Sequence, residues 1–303
     1  MKDLIKALVM AGLLGIALAI VFMPGPGKAG PFDDMGSFDL NKLGDGAKKL
    51  VDAAKPWEYP DERATGRALA AKVAANFGGI WRGTKSADAW NKYVNMIGRG
   101  LVPYCERPDI KYRFAILNTD DVNAYSCPGG YIYVTRGLLR QARTEAELAG
   151  VLAHEIAHVS QRHIEKEIRK QKAGAGVMDI GLAVAEGSGE ITGQQADLIS
   201  GFSDAGYEIL VKKGYAKQDE YEADEVGTKN IYKMGYNPEG LRKFIKLIEK
   251  TSTDGKLKVL VSTHPGADKR ADKLKDLIKK KGWDEDRPDL KERYNAMKAG
   301  NPL

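Results

Sequence analysis

Residues 144–160 read TEAELAGVLAHEIAHVS. Thr144 followed three residues later by Glu147 is a capping box, a signal that a helix starts here. Leu148, Val151, Leu152, Ile156 and Val159 then recur at helical spacing and give the helix an apolar face. No proline interrupts the chain from 144 to about 172, so one continuous helix is predicted over that stretch. His154 and His158, four apart, project from one side of it, within reach of a single metal ion. Glu155, beside the first histidine, is placed to take a proton from a water activated by such an ion. The chain has four histidines, and this run holds two of them.

The pattern is short. Two histidines packed against a core, with Glu155 solvated, would also account for it, so the rest of the chain decides. A catalytic zinc site takes three protein ligands and leaves a position for water. The arrangement H-E-x-x-H-x-x-G-x-x-H is excluded, because position 161 is Gln and position 164 is Ile. His163 follows His154 by nine residues, about 180° around a continuous helix, and is predicted to face away from the metal. The better third ligand lies in Gln218-Asp219-Glu220-Tyr221-Glu222-Ala223-Asp224. Glu220 and Asp224 share one face of a helix predicted to run to Met234, where Gly235 ends it and Asn237-Pro238 opens the next. One carboxylate can bind the metal, and the other can accept the N–H of a ligating histidine. Taken alone, the same run is an acidic helix start favoured by the helix dipole. His264, in Ser262-Thr263-His264-Pro265, precedes Arg270 by six residues, and near a metal the pair would stabilise an oxyanion.

Outside these motifs the chain is that of a globular protein, with enough apolar residues in its 303 positions for a substantial core. Its start differs. Lys2 and Lys6 precede an apolar run from Ala7 to Met23 and then Pro24-Gly25-Pro26-Gly27, which reads as a secretory signal or an N-terminal membrane anchor. In an oxidising compartment Cys105 and Cys127 would pair, closing a loop worth about 3 kcal/mol. The net charge of +6 is scattered apart from Lys279-Lys280-Lys281. No aromatics interleave with it, which argues against a nucleic-acid partner.

Helical patterns cover residues 63–77 and 87–97, after a linker holding one short helix near 39–54. Strands are predicted at 112–117, 123–126 and 131–135, the last two joined by Pro128-Gly129-Gly130. Beyond residue 173 the signals are almost all helical. The expected architecture is a mainly helical α+β domain with one small antiparallel sheet. Eight glycines from Gly174 to Gly206 suggest either a mobile lid over the site or a packed helical hairpin.

The combination of HEIAH, Glu220-x-x-Ala223-Asp224 and His264-Pro265-x4-Arg270 resembles the gluzincin peptidases that include the CAAX prenyl proteases and HtpX. Asn123-Ala124, Pro128-Gly129-Gly130 and Val134-Thr135-Arg136-Gly137 extend the resemblance over residues 85 to 275. It implies a zincin-type metallopeptidase domain over residues 85–303. Residues 30–84 would be a linker and helices packing on it, and residues 1–29 the export signal or anchor. It implies one zinc ion held by His154, His158 and Glu220, and Glu155 as general base and acid. Asp224 would support a ligating histidine, while His264 and Arg270 would act near the open coordination position. Asn123, Ala124 and Tyr125 would pair with an extended polypeptide substrate at the sheet edge. Cys127, directly before Pro-Gly-Gly, suggests a disulfide bracing that strand. Lys217 stands near the place where relatives often carry an arginine. A chain with at most one spanning segment resembles the exported branch, quality-control proteases of the periplasm or cell envelope, with peripheral or single-anchor membrane association. The rival expectation is a chaperone or assembly factor that holds extended polypeptides at the edge strand without cutting them.

Overall fold

The structure is a computed structural model that describes residues 57–174, 193–251 and 263–303. The expected export signal or anchor, the short helix expected near 39–54 and the stretch 175–192 lie outside the described residues. Two helices, α1 (Tyr59–Asn76) and α2 (Lys85–Leu101), precede the strands β1 (Arg113–Leu117), β2 (Ala124–Cys127) and β3 (Tyr131–Thr135). The helices α3 (Arg136–Gln141), α4 (Glu145–Ser160), α5 (His163–Gly174) and α6 (Gly193–Tyr207) follow. A π-helical turn (Glu208–Lys213) leads to α7 (Lys217–Met234), α8 (Glu239–Thr251), α9 (Ala267–Lys281) and α10 (Lys291–Gly300). The domain is mainly helical α+β, as expected. Among the described residues no helix is long and apolar enough to cross a membrane.

The sheet departs from expectation. Its order is β1-β3-β2, with β3 antiparallel to β2 and parallel to β1. The sheet is therefore mixed rather than antiparallel. Gly129 (φ 70°) and Gly130 (φ 90°) reverse the chain tightly from β2 into β3. That hairpin leaves β3 between the other two strands. The six residues 118–123 linking β1 to β2 need to span only two strand spacings, about 10 Å.

Helix α4 is the centre of the domain, and every one of its residues is buried. Thr144 caps it as predicted, accepting from Glu147 N at 3.1 Å. The Glu147 carboxylate reaches one residue further back than a capping box requires and accepts from Arg143 N at 2.7 Å. On one side α4 meets α2, the sheet and α10 in an apolar cluster that includes Trp90, Ile97, Ile132, Leu138, Leu152 and Tyr294. On the other it packs against α7 and α8. The α4–α7 approach needs glycine at position 227, since a Cβ there would lie 2.9 Å from His154 N. A second apolar cluster joins α1 and α6 to Tyr125, Cys127 and Tyr215. At the start of α4, beside the first cluster, Glu145 is gripped by Arg293, Tyr93 and Tyr236, which pins α10 to α4.

Two further expectations are corrected. The helix from 144 does not continue to 172: it ends at Ser160, and Arg162 takes a left-handed conformation (φ 58°) before α5 begins at His163. Left-handed backbone is uncommon in a non-glycine residue and persists where neighbours hold it. Here Arg162 Nη1 donates to Trp57 O at 2.8 Å and to Glu165 Oε2 at 3.2 Å. The Cys105–Cys127 disulfide is not formed. Both thiols are free and buried, Cys105 in the first apolar cluster against Tyr112 and Cys127 in the second. Burial raises the pKa of each.

Candidate metal centre and active site

The two histidines of α4 stand as their spacing predicts, one turn apart, with Nε2 atoms 3.0 Å from each other. Helix α7 brings Glu220 beneath them. Its Oε1 is 3.4 Å from His158 Nε2 and its Oε2 3.6 Å from His154 Nε2. The turn before α9 adds His264, whose Nδ1 is 3.0 Å from Glu220 Oε1 and 3.4 Å from His154 Nε2. One ligand atom from each of these four buried residues lies within 4.8 Å of all the others. Burial and the neighbouring His154 hold the His158 pKa well below its ordinary value, so this imidazole is neutral and offers a lone pair. Burial opposes ionisation of Glu220, yet Arg270, His264 and His158 outweigh it and hold the carboxyl well below the usual range. Imidazole nitrogens with one ionised carboxylate form a donor set suited to zinc. Glu155 Oε2 is buried without a hydrogen-bond partner. A buried acceptor left in this state calls for a proton donor such as a water delivered to the site.

Asp224 sits one helical turn beyond Glu220, and its Oδ1 is 3.0 Å from His154 Nδ1. That places a carboxylate behind the first histidine, as the spacing suggested. Arg270 lines the cavity beside the site, and its donors meet neighbouring acceptors. Its Nε and Nη2 donate to Asp224 Oδ2 and Oδ1, both at 2.7 Å. Its Nη1 reaches Glu220 Oε2 at 2.5 Å and the His264 carbonyl at 3.3 Å. Its position in the first turn of α9, which packs against α7, directs the guanidinium to those carboxylates. These contacts make Arg270 the cation facing the acidic pair. Burial opposes ionisation of Asp224 as well, but Arg270 and His154 keep its carboxyl below the usual value. His264 retains a position facing the base, with Nε2 3.8 Å from Glu155 Oε1.

Two residues escaped the sequence reading. Tyr215, buried after the π-helical turn, stacks on the His158 ring at 3.8 Å between centroids and 14° between planes. His163 was predicted to face away. The break at Arg162 instead turns it back, and its Nδ1 lies 2.8 Å from His158 Nδ1. No periodic signal marks either residue, because both contacts depend on where the chain leaves helical geometry.

The expected substrate strand β2 lies at the sheet edge, paired with β3. Asn123 turns its Oδ1 back onto Ala124 N at 2.9 Å, and Tyr125 packs on Phe77. A cavity of about 40 Å³ opens beside the site, walled by His154, Glu155 and His264 on one side and Leu241, Phe244 and Ile245 on the other.

Residues 88–278 match the pattern of Peptidase family M48, well over half of the chain. Over 184 residues the chain is 28% identical to the Beta-barrel assembly-enhancing protease of Escherichia coli (strain K12), an overlap covering 57% of this chain and 36% of that protein. It is 25% identical over 187 residues to Mitochondrial metalloendopeptidase OMA1 of Schizosaccharomyces pombe, covering 61% and 52%. With Metalloprotease LoiP of Escherichia coli (strain K12) it shares 27% identity over 169 residues, covering 56% and 64%. The chain thus spans about a third of the length of the first of these relatives, and about half to two-thirds of the others.

Proposed function

This chain belongs to peptidase family M48, and on that premise we propose that it is a zinc-dependent endopeptidase acting on unfolded or misassembled proteins of the cell envelope. The observation that carries the reading is the convergence of His154, His158 and Glu220 from two helices onto one point, with the unpartnered carboxylate of Glu155 beside it. His154, His158 and Glu220 would hold the ion. Zinc bound there supplies a Lewis acid for the peptide carbonyl and lowers the pKa of a coordinated water toward ~7.

The remaining work falls to the chain's own side chains. Glu155 takes the proton of the attacking water and passes it to the leaving amine. His264 donates to the carbonyl oxygen as charge develops on it, a contribution that can reach ~10²–10³-fold. Asp224 and Arg270 keep His154 and Glu220 in position, and Arg270 favours the ionised form of Glu220. Substrate enters extended, along the edge strand that holds Asn123, Ala124 and Tyr125. Envelope location is supported by the basic and apolar N-terminal pattern, and the choice of substrate class by the similarity to the beta-barrel assembly-enhancing protease.

The test is incubation of the purified protein with an unfolded polypeptide, with and without chelator. Fragments that vanish on chelation are expected. Zinc-independent binding without fragments would replace the peptidase reading with that of a holding chaperone.

A further inference from the structure

The acidic run that opens α7 contains more than Glu220 and Asp224. Asp219 and Glu222 flank the ligand, and the peptidase reading gives them no task. Both converge on His163, whose Nε2 is 3.3 Å from Glu222 Oε2 and 3.9 Å from Asp219 Oδ1. His163 is fully buried, and its other nitrogen touches His158.

Counting protons along this chain of contacts leaves one arrangement. The Nε2 of His158 faces His154 Nε2 and Glu220. If that nitrogen is to present a lone pair to a metal, the His158 proton resides on Nδ1. The Nδ1–H then donates across 2.8 Å to His163 Nδ1, which must be bare. The His163 proton is therefore on Nε2, where it points at the Glu222 carboxylate. The reverse order, with His163 donating to His158, would put a proton on His158 Nε2 in the middle of the ligand cluster. The carboxylates at 219 and 222 select against it, because they favour an N–H at His163 Nε2.

We propose that His163 is a positioning residue for the metal centre: it fixes the tautomer and ring orientation of His158 through a relay running His158 Nδ1–H to His163 Nδ1 and His163 Nε2–H to Glu222, with Asp219 in support. This rests on the metallopeptidase reading. It gives both ligating histidines a carboxylate behind them from the same stretch of α7. Asp224 serves His154 directly, and Glu222 serves His158 through an intervening imidazole. The relay also decides a competing use of the same atoms. His163, Asp219 and Glu222 lie close enough to form a metal site of their own. A cation at His163 Nε2 would need the proton that the relay keeps there, so that cluster is a hydrogen-bond terminus and the chain takes one zinc ion.

Zinc stoichiometry and chelator-competition affinity test this on the full chain. His163→Leu keeps the volume and removes both nitrogens. Its zinc affinity is expected to fall ~10–100-fold, the range for losing the partner behind a metal-ligating histidine. His163→Asn retains an acceptor toward His158 and is expected to recover most of that loss. Were His163 a packing residue only, His163→Leu would lower the melting temperature of the zinc-free protein at most and leave zinc affinity unchanged, which overturns the proposal. Should His163→Leu fail to fold, Asp219→Ala with Glu222→Ala removes both acceptors facing His163 Nε2, at partly exposed positions. Wild-type zinc affinity in that double variant would also overturn it, as would two zinc ions in the wild type with one lost in His163→Leu. A wild type that binds no zinc would sink the metallopeptidase reading itself, a separate outcome.

Discussion

Arg270→Leu separates two tasks for one guanidinium. In the structure Arg270 lies against two carboxylates, with side chains 5% exposed for Arg270, 3% for Asp224 and 0% for Glu220. Leucine leaves both acids buried without their cation. Removing one partner of a buried ion pair costs about 3–5 kcal/mol. For a domain of this size 1 kcal/mol moves the melting temperature by about 2–4 °C, so the zinc-free variant should melt ~6–20 °C below the wild type. Zinc supplies part of the missing positive charge at Glu220, so the drop should be smaller in the loaded protein. Adding Asp224→Asn removes one of the stranded charges and should recover part of the loss, which makes the two substitutions non-additive. The assay is thermal unfolding followed by circular dichroism, with and without chelator, at one protein concentration. A change under about 2 °C in the zinc-free protein, accompanied by a fall in cleavage rate, would refute the argument. It would show that Arg270 acts on the reacting carbonyl rather than on its neighbours.

Three other outcomes follow from the site. Glu155→Gln should retain zinc at wild-type stoichiometry, measured by elemental analysis, and lose peptide cleavage; full activity would remove Glu155 from the mechanism. Gly227→Val places a side chain where even a Cβ would be 2.9 Å from His154 N. It should lower stability by about 1–3 kcal/mol in denaturant titration and weaken zinc binding by moving α7 from α4, and unchanged values for both would show that the helices give way freely. Chelation of the wild type should lower its melting temperature, by about 2.7 kcal/mol in stability terms for zinc at 100 times its dissociation constant, whereas a midpoint indifferent to zinc would contradict a folded-state metal site.

How much of this was readable in advance depends on how far apart the interacting residues are along the chain. The pairs His154–His158 and Glu220–Asp224 are four residues apart, and helical geometry alone puts each pair on one face. Thr144 and Gly235 mark helix ends through bonds to residues three or four positions away. Such features belong to the local chain and hold in any fold that keeps the helix. The strand positions were visible in the same way, but their pairing was not: β3 lies between β1 and β2 because of a hairpin and a six-residue crossing.

The amino-acid sequence by itself determined that His154 and His158 share a helix face beside Glu155, that Glu220 and Asp224 share another, and the helical character of the domain. Tertiary structure alone decided what stands behind those groups. Arg162, whose side chain is bonded to the distant Trp57 carbonyl, adopts a left-handed backbone, and that break returns His163 to His158. Arg270 becomes the counter-ion of Asp224 and Glu220 because α9 packs on α7. Cys105 and Cys127 stay reduced because each is drawn into a different apolar cluster. These outcomes are set by burial and charge pairing between segments tens to hundreds of residues apart, and spacing along the chain carries no record of them.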